Sequence, residues 1–458
     1  MTNLNNTKYK NLTFYLAFSL IIFLLIIFIL EVVYYLPSPT GDSLWFLKAS
    51  FNICRDDAFV VTNYDLFAHN SEKINYTHGW FGPYVQGKLN FDCSLRGLFL
   101  FSFFIKLFTS FFLFLYFKLN KANRIYSFII ILTTFLIQLK LQFRLETFAI
   151  LLYSILFYYF EKKNYLISGF IISLMLFSQP TLFVIISLIA FLIFFNQIKR
   201  NLLFVIFGFS LGFFILLYIY PYTFVDYLIG LWSHKGAMVN QQTLLNGGLN
   251  TAYIYNLFRY WIIAPFYPFS GIVFLLLIFR LIKKKPIVSL SLPILFFFGP
   301  NSPSVNYVLL SLIPFISLAC LNLDKGESKS ELNDNKLHIV ILLVTILGFT
   351  QYFSRNILTV VNYPNQIFKT KIFLLNNLDS IERFPGFAFM LDKKFKFISI
   401  GEKREDNFKY KYKTFSVNGS RNICPNEQLN KFEKHHLKIF SYKIFSSNAG
   451  YGIWICKI

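Results

Sequence analysis

Apolar runs of about twenty residues, the length a helix needs to cross a bilayer, recur along the chain with short clusters of Lys and Arg between them. No other feature restricts the fold as strongly. The runs lie near 12–36, 96–118, 125–140, 145–160, 165–179, 181–197, 201–220, 258–281, 286–300 and 304–321, with an isolated one at 337–353. They predict a mainly α, polytopic transmembrane helical bundle of about eleven spans. The first run is too long for a signal-peptide core and no small-residue cleavage site follows it, so it reads as a retained span.

Composition agrees with that reading. Of 458 residues, 55% are hydrophobic, 20% aromatic and only 14% charged, with mean hydropathy +0.53. An ordinary soluble domain of this length does not carry that balance. The 60 Phe are read as compositional bias, together with many Ile, Asn and Lys, and not as a ligand signal. A net charge of +22 raises the question of nucleic acid, but the basic residues sit in clusters between apolar runs and not on one polar face, which argues against it.

The clusters also give a topology, because Lys and Arg accumulate in cytoplasmic loops. Lys8 and Lys10 precede the first run; Lys118, Lys121 and Arg124, then Lys162 and Lys163, then Lys199 and Arg200 follow every second run. Arg280, Lys283, Lys284 and Lys285 continue the series, as do Lys325, Lys329 and Lys336. The N-terminus is thereby assigned to the cytoplasm, with a bacterial inner membrane as the expected location. The long loops 37–95 and 221–257 and the stretch 354–458 fall on the opposite side, and Lys140 and Arg144 stand as exceptions there.

Two domains follow: a transmembrane part, 1–353, and an extracytoplasmic C-terminal α+β domain, 354–458, in which alternating segments at 395–400 and 442–445 suit short strands. Cys54 and Cys93 share the first outer loop and Cys424 and Cys456 the tail, while Cys320 stands alone. Two disulfides and four unpaired thiols both remain open. The chain contains no Gly-rich phosphate loop, His-x-Glu-x-x-His box or Cys-x-x-Cys pair, which argues against an ATPase or a conventional zinc enzyme.

Candidate chemistry concentrates in the outer loops. Asp42 lies just beyond the first run, ahead of Leu44, Leu47 and Phe51 at helical spacing. It reads either as an interfacial carboxylate for a lipid-borne substrate or as the cap of that helix. Asp56 and Asp57 beside Arg55, and more weakly Asp65, are rival carboxylates or solvated loop residues. His78 and Trp80 suit sugar binding or interfacial anchoring. Arg144 and Glu146, at the head of the 145–160 run, suit phosphate contact or a mutual pair. In the second outer loop Asp226, His234, Lys235 and Arg259 accompany the amphipathic run Phe224, Leu228, Leu231 and Trp232. Lys106, in the middle of an apolar run, calls for snorkelling or a partner inside the bundle and is given no role.

With these features the chain resembles the GT-C class of membrane glycosyltransferases, near the mannosyl and aminoarabinose transferase group. The resemblance is carried by Gly41-Asp42 after the opening span, by Thr77-His-Gly-Trp-Phe-Gly-Pro-Tyr84, by Arg144-Leu-Glu146, and by Asn306-Tyr-Val-Leu-Leu-Ser-Leu-Ile-Pro-Phe315. It implies a polyprenyl-phosphate-linked sugar donor, a lipid, glycan or protein acceptor, Asp42 as general base, and cations such as Arg144 or Arg259 on the donor phosphate. Asp56, Asp57, His78, Trp80, Glu146, His234 and Lys235 are the further substrate-binding candidates, and a divalent metal stays open. One departure is Gln179-Pro180, where related transferases often carry Lys before the Pro. The alternatives are an O-antigen polymerase or ligase, built around the loop at 221–257, and a flippase or transporter of lipid-linked sugars.

Overall fold

The computed structural model describes residues 21–33, 46–47, 49–50, 53–54, 60–62, 73–75, 79–90, 92–122, 124–229, 277–283, 286–291, 311–319, 412–418, 435–439 and 451–457. It is mainly α-helical. Helix α1, Ile21–Val33, ends as a π-helix over Ile29–Val33. After it come α2 (Phe81–Lys88), α3 (Leu95–Leu119), α4 (Arg124–Leu141), α5 (Leu145–Glu161), α6 (Tyr165–Ser178), α7 (Pro180–Ile193), α8 (Phe195–Arg200) and α9 (Leu202–Ile219).

The helix boundaries have local causes. Ser94 opens α3 by accepting from Gly97 N at 2.8 Å, and Asn164 opens α6 by accepting from Ile167 N at 3.2 Å, each relieving an orphan donor of the first turn. Pro180 occupies the first position of α7, where its missing N–H costs nothing. It is also what separates α6 from α7. These helices match the predicted runs from 96 to 220 within a few residues. Two of them, Arg96–Leu119 and Leu202–Ile219, are long and apolar enough to cross a membrane, and Ile21–Val33, Ser127–Leu139, Tyr165–Ser178 and Leu182–Ile193 are shorter apolar helical stretches.

Beyond residue 220 the comparison is partial. Residues 277–283 and 311–319 are helical, the first overlapping the end of the predicted run 258–281 and the second inside the run 304–321. Pro286–Ser291 is a 3₁₀ helix, where the sequence suggests the start of an α-helical span. The remainder of these runs, and the run at 337–353, lie outside the described residues.

Leu113, Leu156, Phe157, Ile186 and Phe315 belong to the main core, which joins α3–α7 to the 311–319 helix. Helices α6 and α9 approach backbone to backbone. A side chain at Gly169 would meet the carbonyl of Val205, one at Gly208 the carbonyl of Leu166, and one at Gly212 the Ser173 hydroxyl. Small residues four apart on each helix, Gly169 with Ser173 and Gly208 with Gly212, make this contact possible. The opposite side of α9 faces outward and is apolar, with Leu203 82% and Tyr218 91% exposed.

Five short strands occur among the described residues. Antiparallel β1 (Val60–Thr62) and β2 (Lys73–Asn75) form a two-stranded sheet in the 37–95 loop. In the tail, β3 (Tyr412–Asn418), β4 (His435–Ile439) and β5 (Tyr451–Lys457) form an antiparallel sheet in the order β3-β5-β4. The strand segments expected at 395–400 and 442–445 lie outside the described residues. Cys54 and Cys93 are joined as a disulfide with their Cα atoms 5.6 Å apart, tying the middle of the 37–95 loop to the residue before the Ser94 cap. Cys456 lies in β5; Cys424 and Cys320 are outside the described residues.

Candidate functional site

One end of the bundle gathers segments that are far apart in the chain. Gly79 has φ +63, and a Cβ there would run into the Leu145 side chain and the Ser178 carbonyl. The turn leading into α2 therefore lies against both the start of α5 and the α6–α7 break, and only glycine accommodates that conformation and approach together. Trp80 stacks on Tyr220 at 5.1 Å, and Tyr227 donates its hydroxyl to the Leu176 carbonyl at 2.9 Å, which adds the residues after α9. Burial, and secondarily the nearby Tyr220, pushes the Tyr227 phenol far above its ordinary range, so this donor stays protonated.

At the centre of this end, Arg144 and Glu146 form a buried pair. Arg144 Nε and Nη2 donate to Glu146 Oε2 and Oε1, each at 3.2 Å. This is the forked geometry that suits guanidinium and carboxylate. Arg144 has the extended backbone of a helix cap, and Glu146 lies in the first turn of α5, where a negative charge is favoured. Gln179, from the α6–α7 break, donates Nε2 to Glu146 Oε1 at 3.2 Å. The mutual pair that the sequence allows is formed, and Gln179 is its third member.

A second polar layer lies beside the first. Gln138 of α4 donates Nε2 to Thr109 Oγ1 at 2.9 Å and to the Thr147 carbonyl at 3.0 Å. Deeper still, Lys106 of α3 meets Glu31 of α1 at 2.7 Å with both side chains fully buried. The Lys106 ammonium also donates to the Ser102 carbonyl at 3.1 Å and the Ser102 hydroxyl at 2.9 Å. Lys106 thus has a partner inside the bundle and does not snorkel.

A cleft with about 330 Å³ of empty space, its open mouth included, lies between α2, α3 and the α4–α5 turn. Its polar lining is Gln86, Ser102, Gln142, Arg144 and Thr147, set among Phe101, Phe143 and Phe148. Gln142 sits in that turn at φ +38, a conformation that costs a non-glycine residue of order 1–3 kcal/mol and persists only where the surroundings enforce it. Sequence reasoning missed Glu31, Ser102, Gln138, Gln142 and Thr147. The available signal was their polarity within or between apolar runs.

Of the candidates named from sequence, Trp80, Arg144, Glu146 and Asp226 are described. Trp80 is fully buried, with Phe81, Tyr84 and Phe177 edge-on around it and Tyr220 on its face, so its ring offers no open surface to a sugar or to an interface. It shares this cluster with Leu145, and with Phe46, Ala49 and Ile53 of the 37–95 loop. Leu47, one of the residues at helical spacing, is helical and fully buried. Asp226 closes a capping box with Thr223: Thr223 N and Oγ1 donate to Asp226 Oδ2 at 2.9 and 2.6 Å, and Asp226 N donates to Thr223 Oγ1 at 3.2 Å. These bonds hold its carboxyl below the usual carboxylate range.

Asp42, Asp56, Asp57, Asp65, His78, His234, Lys235 and Arg259 lie outside the described residues, as do Leu44, Phe51, Leu231 and Trp232. Among the described residues, no three His, Cys, Asp or Glu side chains come together as a set that could hold a metal ion. Comparison with family models, curated proteins and solved structures finds no match for the chain.

Proposed function

We propose that the chain is an integral membrane glycosyltransferase of the GT-C type. It is a helical bundle of about eleven spans in a bacterial inner membrane, with a small extracytoplasmic α+β domain at its C-terminal end. It moves a sugar from a polyprenyl-phosphate donor to a lipid, glycan or protein acceptor on the extracytoplasmic face.

The observation that carries this reading is the meeting of Arg144, Glu146 and Gln179. Gln179 occupies the position before Pro180 where related transferases often carry Lys, and its side chain reaches the Glu of the Arg-x-Glu motif. The family-like Arg-x-Glu motif is thus in contact with the position at which the chain departs from the family's pattern. The apolar outward side of α9 and the gathering of the α2 turn, the start of α5 and the α6–α7 break at one end of the bundle support the membrane topology. The Cys54–Cys93 disulfide supports placing that end in an oxidising compartment.

In the reaction, the acceptor hydroxyl attacks the anomeric carbon while Asp42 takes its proton. The bond from that carbon to the phosphate oxygen breaks, and polyprenyl phosphate leaves with inversion at carbon. The leaving phosphate needs cationic donors. Arg144, being engaged with Glu146, serves through that pair, and Arg259 is the other candidate. The test is sugar transfer from labelled polyprenyl-phosphate sugars by membranes carrying wild type or Asp42→Asn. Loss of transfer by a factor of about 10²–10⁴ is expected, and full activity in the variant removes Asp42 as the base.

One observation favours a second reading. The Glu31–Lys106 pair, in the interior of the helical bundle, is of the kind found in flippases and transporters. Movement of an intact lipid-linked sugar, with no transfer from any donor, is the result that reading expects.

A further inference from the structure

We propose that the end of the bundle opposite the Arg144–Glu146 pair seats an anionic phospholipid, its phosphate held by Lys199 and Arg200 of α8 and its acyl chains lying along the outward stripe of α9. The inference rests on the membrane-spanning part of the reading above and is independent of sugar transfer.

That end is built from helix termini that pack together. Tyr116, in the last turn of α3, meets Phe157 of α5 edge-on at 5.9 Å. Phe160, in the last turn of α5, stacks on Phe194 between α7 and α8 at 5.1 Å. The residues that follow these rings are basic: Lys118 and Lys121 after Tyr116, Lys162 and Lys163 after Phe160, and Lys199 and Arg200 at the close of α8, all six exposed. Glu161 is the one acid beside them among the described residues, where Lys199 and Arg200 have no ion-pair partner. Helix α5 runs from the Arg144 site to this end over 17 residues, about 25 Å, so the two ends stand nearly the thickness of a bilayer's apolar layer apart.

Helix α8 brings its charge onto an apolar surface. Ile198 is buried in the main core, whereas Lys199 and Arg200 are exposed and lead directly into α9. On α9, Leu203, Phe207, Leu211, Phe214 and Tyr218 recur at spacings of three or four, between 43% and 91% exposed, and so form one continuous stripe. The 18 residues of α9 span about 27 Å. That length sets Arg200 at one head-group layer and Tyr218, an aromatic suited to the interface, at the other.

Lipid suits this stripe better than a second copy of the chain. The small residues that let two spans approach closely, Gly208 and Gly212, already face α6, and the outward side carries large side chains that hold a partner's backbone away. Charge then selects the lipid. A head group with net negative charge neutralises the adjacent cations, while a zwitterionic one brings its own cation beside them.

The test titrates the full chain in detergent micelles with phosphatidylglycerol and, separately, with phosphatidylcholine, and counts bound lipid by native mass spectrometry. Phosphatidylglycerol should bind at least about tenfold more tightly, given about fivefold for each charge. Lys199→Gln with Arg200→Gln should remove that preference. Lys162→Gln with Lys163→Gln, an equal loss of charge away from α9, should leave most of it. All four side chains are exposed, so the fold tolerates these changes. Glycerol phosphate, a head group without chains, should not displace the lipid at equal concentration. The proposal is overturned by equal binding of the two lipids, by a loss in the Lys162 and Lys163 variant as large as in the Lys199 and Arg200 variant, or by displacement with glycerol phosphate. Carbonate washing of membranes is run in parallel. A chain that washes off removes the membrane-spanning reading and the proposal with it, whereas a chain that resists washing but shows no lipid preference removes the lipid seat alone.

Discussion

Gln179 donates its side-chain amide to Glu146 at 3.2 Å, joining the break between α6 and α7 to the first turn of α5. The carboxylate is nearly fully buried and takes its main compensation from Arg144. The two partners should therefore differ in what their loss costs. Gln179→Leu removes one bond to a charged group, worth about 1.5–3 kcal/mol, while Arg144→Met strands the carboxylate at about 3–5 kcal/mol. Gln179→Lys brings an ammonium to the same carboxylate and should be milder than Gln179→Leu. Thermal unfolding in a single detergent ranks the three, and a Gln179→Leu loss equal to that of Arg144→Met would show that the guanidinium is not the main partner.

The Glu31–Lys106 pair is a stronger case, since both side chains are fully enclosed. Glu31→Leu or Lys106→Met alone leaves an uncompensated charge and should destabilise by about 3–5 kcal/mol. The double variant replaces the pair with apolar groups of similar volume and should recover most of that loss. Stability measured over the double-mutant cycle checks this, and additive losses would mean that the two residues act independently.

Asp226, just after α9, makes a pH-dependent contribution. Its carboxyl is held below the usual range by the Thr223 side-chain and backbone bonds, so the capping box is intact at neutral pH. It is lost as pH falls through the depressed value, because protonation removes the acceptor charge. The Thr223 amide resonance should follow this titration, and Asp226→Asn should abolish it. A Thr223 resonance that still titrates in Asp226→Asn would assign the effect to another group.

Much of the helical frame was legible in sequence because its punctuation is local. Ser94, Asn164 and Pro180 mark where apolar runs start, and the observed helices α3, α6 and α7 begin at or next to them. The site was less legible, since its bonds join residues distant in sequence. Lys106 signalled that a partner was needed, but Glu31 lies 75 residues away, and a lone acid in an apolar run does not say what it meets. Arg144 broke the pattern of basic loops, and the sequence left phosphate contact and pairing with Glu146 both open; the pair is formed. Trp80 was read as a sugar platform or an interfacial anchor, yet Tyr220, well over a hundred positions later, covers its face. Gln142 and Thr147 had no periodic or charge signal, and only their burial in the structure brings them to notice.

The most direct test of the account is reconstitution of the full chain in proteoliposomes containing a labelled polyprenyl-phosphate sugar. Label on an acceptor, with polyprenyl phosphate released into the bilayer on the side opposite the N-terminus, is the predicted result. Label that reaches the other leaflet still attached to its polyprenyl phosphate, with no transfer to any acceptor, would contradict it.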